Sequence, residues 1–269
     1  MEQNLLLIGC GKMGKALLKG WLNHGILPKA ITIVEPMGIE SVGAGKNVRV
    51  LASPNEIEAS YKPGIIIFAI KPQVMDEIVP NYKRFVSPNT LYLSIAAGKP
   101  STYFERLLGK KGAIIRTMPN TPAAVGCGMT VAFANPNVKK EQKQFAQFLL
   151  ETIGKVSWLD DEASMDAVTA VSGSGPAYIF LLIECLTKAG KRLGLDPILA
   201  EQLARETVIG CGELVKKSDE TAENLRQNVT SPGGTTAAAL KILTGQNGME
   251  ALMIKAVEAA TLRSQELSQ

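Results

Sequence analysis

Apolar positions in the first 160 residues come in short blocks. Asn4–Gly9, Ala30–Glu35, Val48–Leu51, Gly64–Ile70, Thr90–Ile95 and Ala113–Met118 are bounded by Gly, Pro, Asn or Ser, and several are rich in Ile and Val. Such runs predict strands buried on both faces. Between them lie helical segments, among them Lys12–His24, Pro72–Phe85 and Ser101–Leu108. Alternating β and α with short connections predicts a mostly parallel sheet covered by helices on both sides. Past Trp158 the strand pattern stops. Asp166–Leu193, Pro197–Lys217, Ala222–Asn228, Thr235–Leu243 and Gly248–Leu267 are rich in Ala, Leu and Glu, with apolar residues at three- and four-residue steps, which predicts helices. The expected organisation is an α/β domain over residues 1–161 followed by an all-α domain over 162–269.

The first strand runs into Gly9-Cys10-Gly11-Lys12-Met13-Gly14 and then a helix. This is G-x-G-x-x-G between a strand and a helix, the arrangement of a Rossmann dinucleotide-binding domain. Gly9 permits the tight turn, Gly11 the approach of a pyrophosphate, and Gly14 close helix–strand packing, with the phosphates at the helix N-terminus. The second strand ends in Glu35, where an acid accepts a ribose hydroxyl and repels a 2′-phosphate; this favours NADH over NADPH. If the loop after Pro36 turned Glu35 outward, Lys46 or Arg49 would be the cations available to a phosphate. Ala69-Ile70-Lys71 and Ala96-Ala97-Gly98 end the fourth and fifth strands, where the ligand crevice of such sheets lies.

Composition narrows the partners. The 269 residues carry a net charge of +4 without a long Lys/Arg run, which suits an anionic small ligand and not nucleic acid. No apolar run of membrane-spanning length is expected. The four cysteines have no zinc or C-x-x-C spacing; buried free thiols, no metal site and a cytoplasmic setting are expected. The single histidine, His24, ends the first helix and is expected to do no chemistry.

Two further stretches are unusual. Arg116-Thr117-Met118-Pro119-Asn120-Thr121-Pro122 leaves the sixth strand through two prolines, and Ser172-Gly173-Ser174-Gly175-Pro176-Ala177-Tyr178 interrupts a helical pattern. Further on, Ser231-Pro232-Gly233-Gly234-Thr235-Thr236 enters another helix without any ionisable group. A Gly-Gly turn before a helix exposes backbone N–H groups, which together with the helix dipole attract an anion.

Taken in order, G-C-G-K-M-G, A-I-K-P-Q, M-P-N-T-P, V-S-G-S-G-P-A-Y and S-P-G-G-T-T cover the chain end to end and resemble the pyrroline-5-carboxylate reductase family. The resemblance implies reduction of 1-pyrroline-5-carboxylate to L-proline by NADPH or NADH, the last step of proline biosynthesis. It also implies a helical dimerisation domain, in a homodimer often assembled into a larger ring. Gly9 to Gly14, Asn55, Ala69 to Lys71 and Ala96 to Gly98 would then contact the cofactor. Glu162, Asn228, Gly233, Gly234, Thr235 and Thr236 would contact the substrate, with Thr236 as the catalytic candidate beside the ring nitrogen. Family habit leans to NADPH, against the inclination of Glu35. Two other readings remain open here. One is a reductase of the β-hydroxyacid dehydrogenase type, although Lys188 and Lys191 do not follow its lysine motif. The other is a non-catalytic dinucleotide sensor.

Overall fold

A computed structural model describes residues 4–43 and 47–268. The strands are β1 Leu5–Ile8, β2 Ile31–Val34, β3 Arg49–Leu51, β4 Ile65–Phe68, β5 Leu91–Ser94, β6 Ala113–Met118, β7 Gly128–Ala134 and β8 Gly154–Leu159. They form one sheet in the order β3-β2-β1-β4-β5-β6-β7-β8. β1 to β6 pair in parallel, β7 runs antiparallel to β6, and β8 is parallel to β7. The expected six parallel strands are present, and two more extend the sheet. β8 alternates exposed and half-buried positions over most of its length. Such a one-sided edge strand lacks the continuous apolar run that marks the central strands.

Successive side chains of each strand face opposite sides of the sheet. Leu5 and Leu7 join a core with Leu17, Trp21, Leu149 and Ile153, whereas Leu6 and Ile8 join Phe68, Tyr82, Tyr92 and Phe104. The helices packed on this sheet are α1 Lys12–Asn23, α2 Gly38–Val42, α3 Met75–Ile78, α4 Ser101–Leu108 and α5 Lys140–Glu151. Trp21 Nε1 donates to Leu149 O at 3.1 Å and ties α1 to α5. The helix expected over Pro72–Phe85 is instead a 3-10 turn, the single turn α3 and a 3-10 segment Val79–Phe85. Pro72 and Pro80 supply no N–H to a continuous ladder.

The remaining helices are α6 Met165–Val168, α7 Gly175–Arg192, α8 Pro197–Lys217, α9 Ala222–Asn228, α10 Thr235–Leu243 and α11 Met249–Ser268. The expected helix over Asp166–Leu193 is split by a π-helical turn at Thr169–Gly173, inside the glycine-serine block. The stretch Glu162–Arg192 is long and apolar enough to pass for a membrane span by length and composition, contrary to expectation. It reads so because the π turn and α7 together carry few charges.

By compactness the chain forms two units, Met1–Gly173 with Thr261–Gln269, and Ser174–Ala260. In the second unit α7 packs on α8, where Ala200 and Ala204 are buried. Gly190 faces Ala200 so closely that a Cβ on it would lie 3.2 Å from the Ala200 Cβ.

Candidate active site

Ile8, Val34, Leu51, Phe68, Ser94 and Arg116 form one row across the carboxyl ends of the parallel strands. Just beyond that row stand Gly9, Glu35, Ala69 and Ile95. The strand order reverses between β1 and β4, so these residues border the switch-point crevice where ligands of such sheets bind.

Gly9 has φ 82° and its N–H donates to Val34 O at 2.9 Å. A Cβ on it would lie 2.6 Å from Ile70 Cγ2 and 2.8 Å from Ala69 O. A Cβ on Gly14 would lie 2.7 Å from Gly9 O, while one on Gly11 meets nothing within 4 Å. The turn is thus closed on the protein side and open on the other. Helix α1 begins at Lys12 with no side chain capping it. Its first N–H groups have no intrahelical acceptor and suit phosphate oxygens. Lys12 is exposed, Met13 half-buried and Cys10 buried. Burial, seconded by the charge of Glu35, pushes the Cys10 thiol up to about 11. The residues present therefore fit a dinucleotide.

Glu35 turns inward. Its Oε2 accepts from the Cys10 N–H at 2.8 Å and its Oε1 from the Met37 N–H at 3.2 Å. The carboxylate thus stands against the glycine turn. Arg49, the alternative phosphate partner, pairs with Glu58 at 2.9 Å, and Lys46 lies outside the described residues. Asn55 is exposed beyond β3, its N–H bonded to Ser53 Oγ. Lys71 is exposed past β4; Ala96 and Gly98 are buried past β5 and Ala97 is half-buried.

In the second unit, Ser231 to Gly234 form a turn closed by Gly234 N–H to Ser231 O at 3.1 Å. Gly233 takes φ 72°, a left-handed conformation that costs any other residue except Asn or Asp appreciable strain. A Cβ on Gly234 would clash with Ser231 Oγ. Gly234 caps α10 with no side-chain hydrogen bond, so the leading N–H groups of Thr235 and Thr236 are free of intrahelical acceptors. Thr236 is half-buried and Thr235 exposed. Asn228 ends α9, exposed, with Nδ2 donating to Glu220 Oε2 at 2.9 Å.

Glu162 is in the first unit. Its Oε1 accepts from the Ser101 N–H at 2.7 Å and from Arg116 Nη1 at 3.1 Å; its Oε2 accepts from Ser101 Oγ at 2.5 Å. Arg116, only 4% exposed on β6, opens the two-proline stretch Arg116–Pro122, but the sequence reading assigns it no role. The signal was one arginine in an otherwise apolar strand, which demands an acidic partner. The blocks Met118-Pro119-Asn120 and Ser172-Gly173 meet here too: Asn120 Nδ2 lies 3.4 Å from Ser172 Oγ, and a Cβ on Gly173 would clash with Met118.

Two expectations about other residues resolve differently. His24 caps the end of α1, Nδ1 2.8 Å from Gly20 O, as expected of a helix-terminal histidine. The four thiols are free, but only Cys10 is buried. Cys185 and Cys211 lie on α7 and α8, on faces that a single chain leaves uncovered, and Cys127 lies in the turn before β7. Among the described residues no cluster of His, Cys, Asp and Glu is arranged to hold a metal ion.

Comparison with known proteins follows these two halves. Residues 162–267 match the family described as pyrroline-5-carboxylate reductase dimerisation. Residues 4–98 match NADP oxidoreductase coenzyme F420-dependent. A pyrroline-5-carboxylate reductase of Pseudomonas aeruginosa is 37% identical over 265 residues, 98% of this chain and 97% of that protein. One from Synechocystis is 39% identical over 272 residues, 99% of each. Among solved structures, a pyrroline-5-carboxylate reductase from Coxiella burnetii superposes with a TM-score of 0.92 at 34% identity, covering 100% of both chains. The Plasmodium falciparum pyrroline carboxylate reductase with NADP bound gives 0.84 at 32% identity, over 99% of this chain and 98% of that one.

Proposed function

Because this chain belongs to the pyrroline-5-carboxylate reductase family, we propose that it reduces 1-pyrroline-5-carboxylate to L-proline with NADH or NADPH. This is the closing step of proline biosynthesis. The observation that carries the reading is the turn into α10: an uncharged, glycine-built helix N-terminus whose leading N–H groups lack intrahelical acceptors. Full-length similarity to reductases of this family favours it over the β-hydroxyacid dehydrogenase type.

When bound, the reduced nicotinamide supplies the hydride that saturates the imine carbon. Gly9 to Gly14 would hold its pyrophosphate at the N-terminus of α1, and Glu35 would accept from its adenosine ribose. Asn55, Ala69 to Lys71 and Ala96 to Gly98 line the rest of the cofactor site. The chain's task is then to place a small anionic ring. Gly233, Gly234 and the N–H groups of Thr235 and Thr236 hold its carboxylate by main-chain donors and the helix dipole. Asn228, at the end of α9, adds a polar contact. As hydride reaches carbon, the C=N electron pair moves to nitrogen, which carries the second hydrogen as a proton. A pyrroline nitrogen takes that proton from water readily, so no strong acid is needed. A cationic side chain beside it would oppose the protonated imine, and a neutral grip avoids that. Thr236 hydrogen-bonds the ring nitrogen and steadies the proton there. Positioning supplies most of the rate.

The helical unit makes the homodimer, with larger ring assembly a further step, and the enzyme works in the cytoplasm away from membranes. The uncovered apolar face of Glu162–Arg192 is, in this reading, dimer surface.

The experiment is the fall in reduced-nicotinamide absorbance when pyrroline-5-carboxylate is added; a dinucleotide sensor gives none. Thr236→Ala lowers kcat roughly tenfold to a hundredfold, at or below the low end of general-acid assistance because water can replace the hydroxyl, while the KM for the dinucleotide holds. A variant matching wild type removes Thr236 from the chemistry.

A further inference from the structure

We propose that Arg116 and Glu162 are a positioning pair for the cofactor-facing turn Ala96–Gly98. The proposal rests on the reading that this turn touches the dinucleotide. It gives Glu162 a role on the cofactor side, beside the substrate contact that the resemblance implies.

The turn lies between β5 and α4, and each end is fastened differently. At its start Ser94 is locked by its own side chain and by the next strand: Ser94 Oγ accepts from the Ala96 N–H at 3.2 Å, and Thr117 Oγ1 donates to Ser94 O at 2.9 Å. At its end Pro100 caps α4 without a side-chain hydrogen bond. The missing cap is supplied from 61 residues away, by Glu162 accepting from both the N–H and the Oγ of Ser101. A carboxylate at a helix N-terminus satisfies orphan donors and the dipole together.

Glu162 is itself held by Arg116, whose position opposite Ser94 places it in the row that borders the crevice. The Arg116 side chain is 5% exposed, and its Nη2 lies 4.0 Å from Asp166 Oδ1, the same oxygen to which Ser264 Oγ donates at 2.6 Å. Three residues on from Ser264, Leu267 presses against Gly98: a Cβ there would lie 3.0 Å from the Leu267 Cβ and carbonyl oxygen. Gly98 holds φ 70°. Arg116 is therefore the hub from which Glu162 fixes the end of the turn and Asp166, through the last turns of α11, fixes its flank.

The test compares three variants at a temperature where all are folded. Glu162→Gln keeps the volume and removes the charge that Arg116 needs. Ser101→Ala leaves the ion pair intact and removes one tie to the turn. Ala97→Leu enlarges the turn itself. Dinucleotide binding is read by nicotinamide fluorescence, and KM by steady state for each substrate. The proposal expects Glu162→Gln to raise the dinucleotide Kd, read in the absence of pyrroline-5-carboxylate, and the dinucleotide KM about tenfold, the size of a lost charged hydrogen bond. Ser101→Ala shifts the same constants in the same direction by less. If both bind the dinucleotide as wild type does, with only the Tm reduced, the pair is merely structural and the proposal is overturned. Ala97→Leu separates the underlying reading: wild-type dinucleotide binding by that variant means the turn does not touch the cofactor. Should Glu162→Gln fail to fold, Ser101→Ala decides alone.

Discussion

Glu35 is the residue at which two expectations pull apart. Its carboxylate accepts from the Cys10 N–H at the glycine turn, so it stands where an adenosine ribose is read in a Rossmann domain. Two hydroxyls can donate to it; a 2′-phosphate meets a second negative charge. Glu35→Ser removes that repulsion and releases the Cys10 N–H for a phosphate oxygen. The expected result is a rise of about fivefold in kcat/KM for NADPH relative to NADH, the ~1 kcal/mol of one close charge contact screened as in water. Parallel KM measurements with both cofactors check it. No change in the ratio means the ribose lies away from Glu35, whatever the family's habit.

Elements are positioned here by what their ends lack. Helices α1 and α10 both begin after glycine and carry no side-chain cap; α4 begins after proline and borrows a cap from Glu162. An uncapped start leaves donors for a ligand, and a borrowed cap fixes a loop. The close contact of α1 with β1 can be tested directly. Gly14→Ala places a Cβ 2.7 Å from Gly9 O, a backbone atom that moves only with the whole turn. Overpacking of this kind costs about 1–3 kcal/mol, seen as a lower Tm together with weaker dinucleotide binding. Gly11→Ala, where the space is open, weakens binding and leaves the Tm in place. If Gly14→Ala melts and binds like wild type, helix and strand are not in the close contact described.

For the whole molecule, the second unit is the informative part. Helices α7 and α8 expose Phe180, Leu181, Leu186, Leu203 and Ile209 in the single chain, far more apolar surface than a soluble monomer keeps bare. Residues 162–267 match a dimerisation family, which accounts for it. The chain is expected to elute as a dimer or a multiple of one, measured by light scattering. Ile209→Glu, at a residue 53% exposed in the single chain, is expected to shift the mass toward monomer and lower the Tm. An unchanged mass would place the interface on another face.

The sequence by itself determined the order of elements and the chemistry they carry. The central parallel strands are apolar over most of their length because both faces are covered, so they announced themselves, and the short edge strand β3 followed from Val48–Leu51. Gly9-Cys10-Gly11-Lys12-Met13-Gly14 and Gly233-Gly234 were legible because Gly9 and Gly233 hold a left-handed conformation and a Cβ at Gly9, Gly14 or Gly234 has no room. The edge strand β8 was not, since a half-exposed strand has no continuous run to recognise. Only the tertiary structure decided which way Glu35 faces, and which acid answers Arg116. Glu162 and Asp166 lie 46 and 50 residues from that arginine along the chain, and no local spacing links them. A lone buried charge implies a partner; the chain's return after β8, which brings Glu162 and Asp166 back to β6, determines which one reaches it.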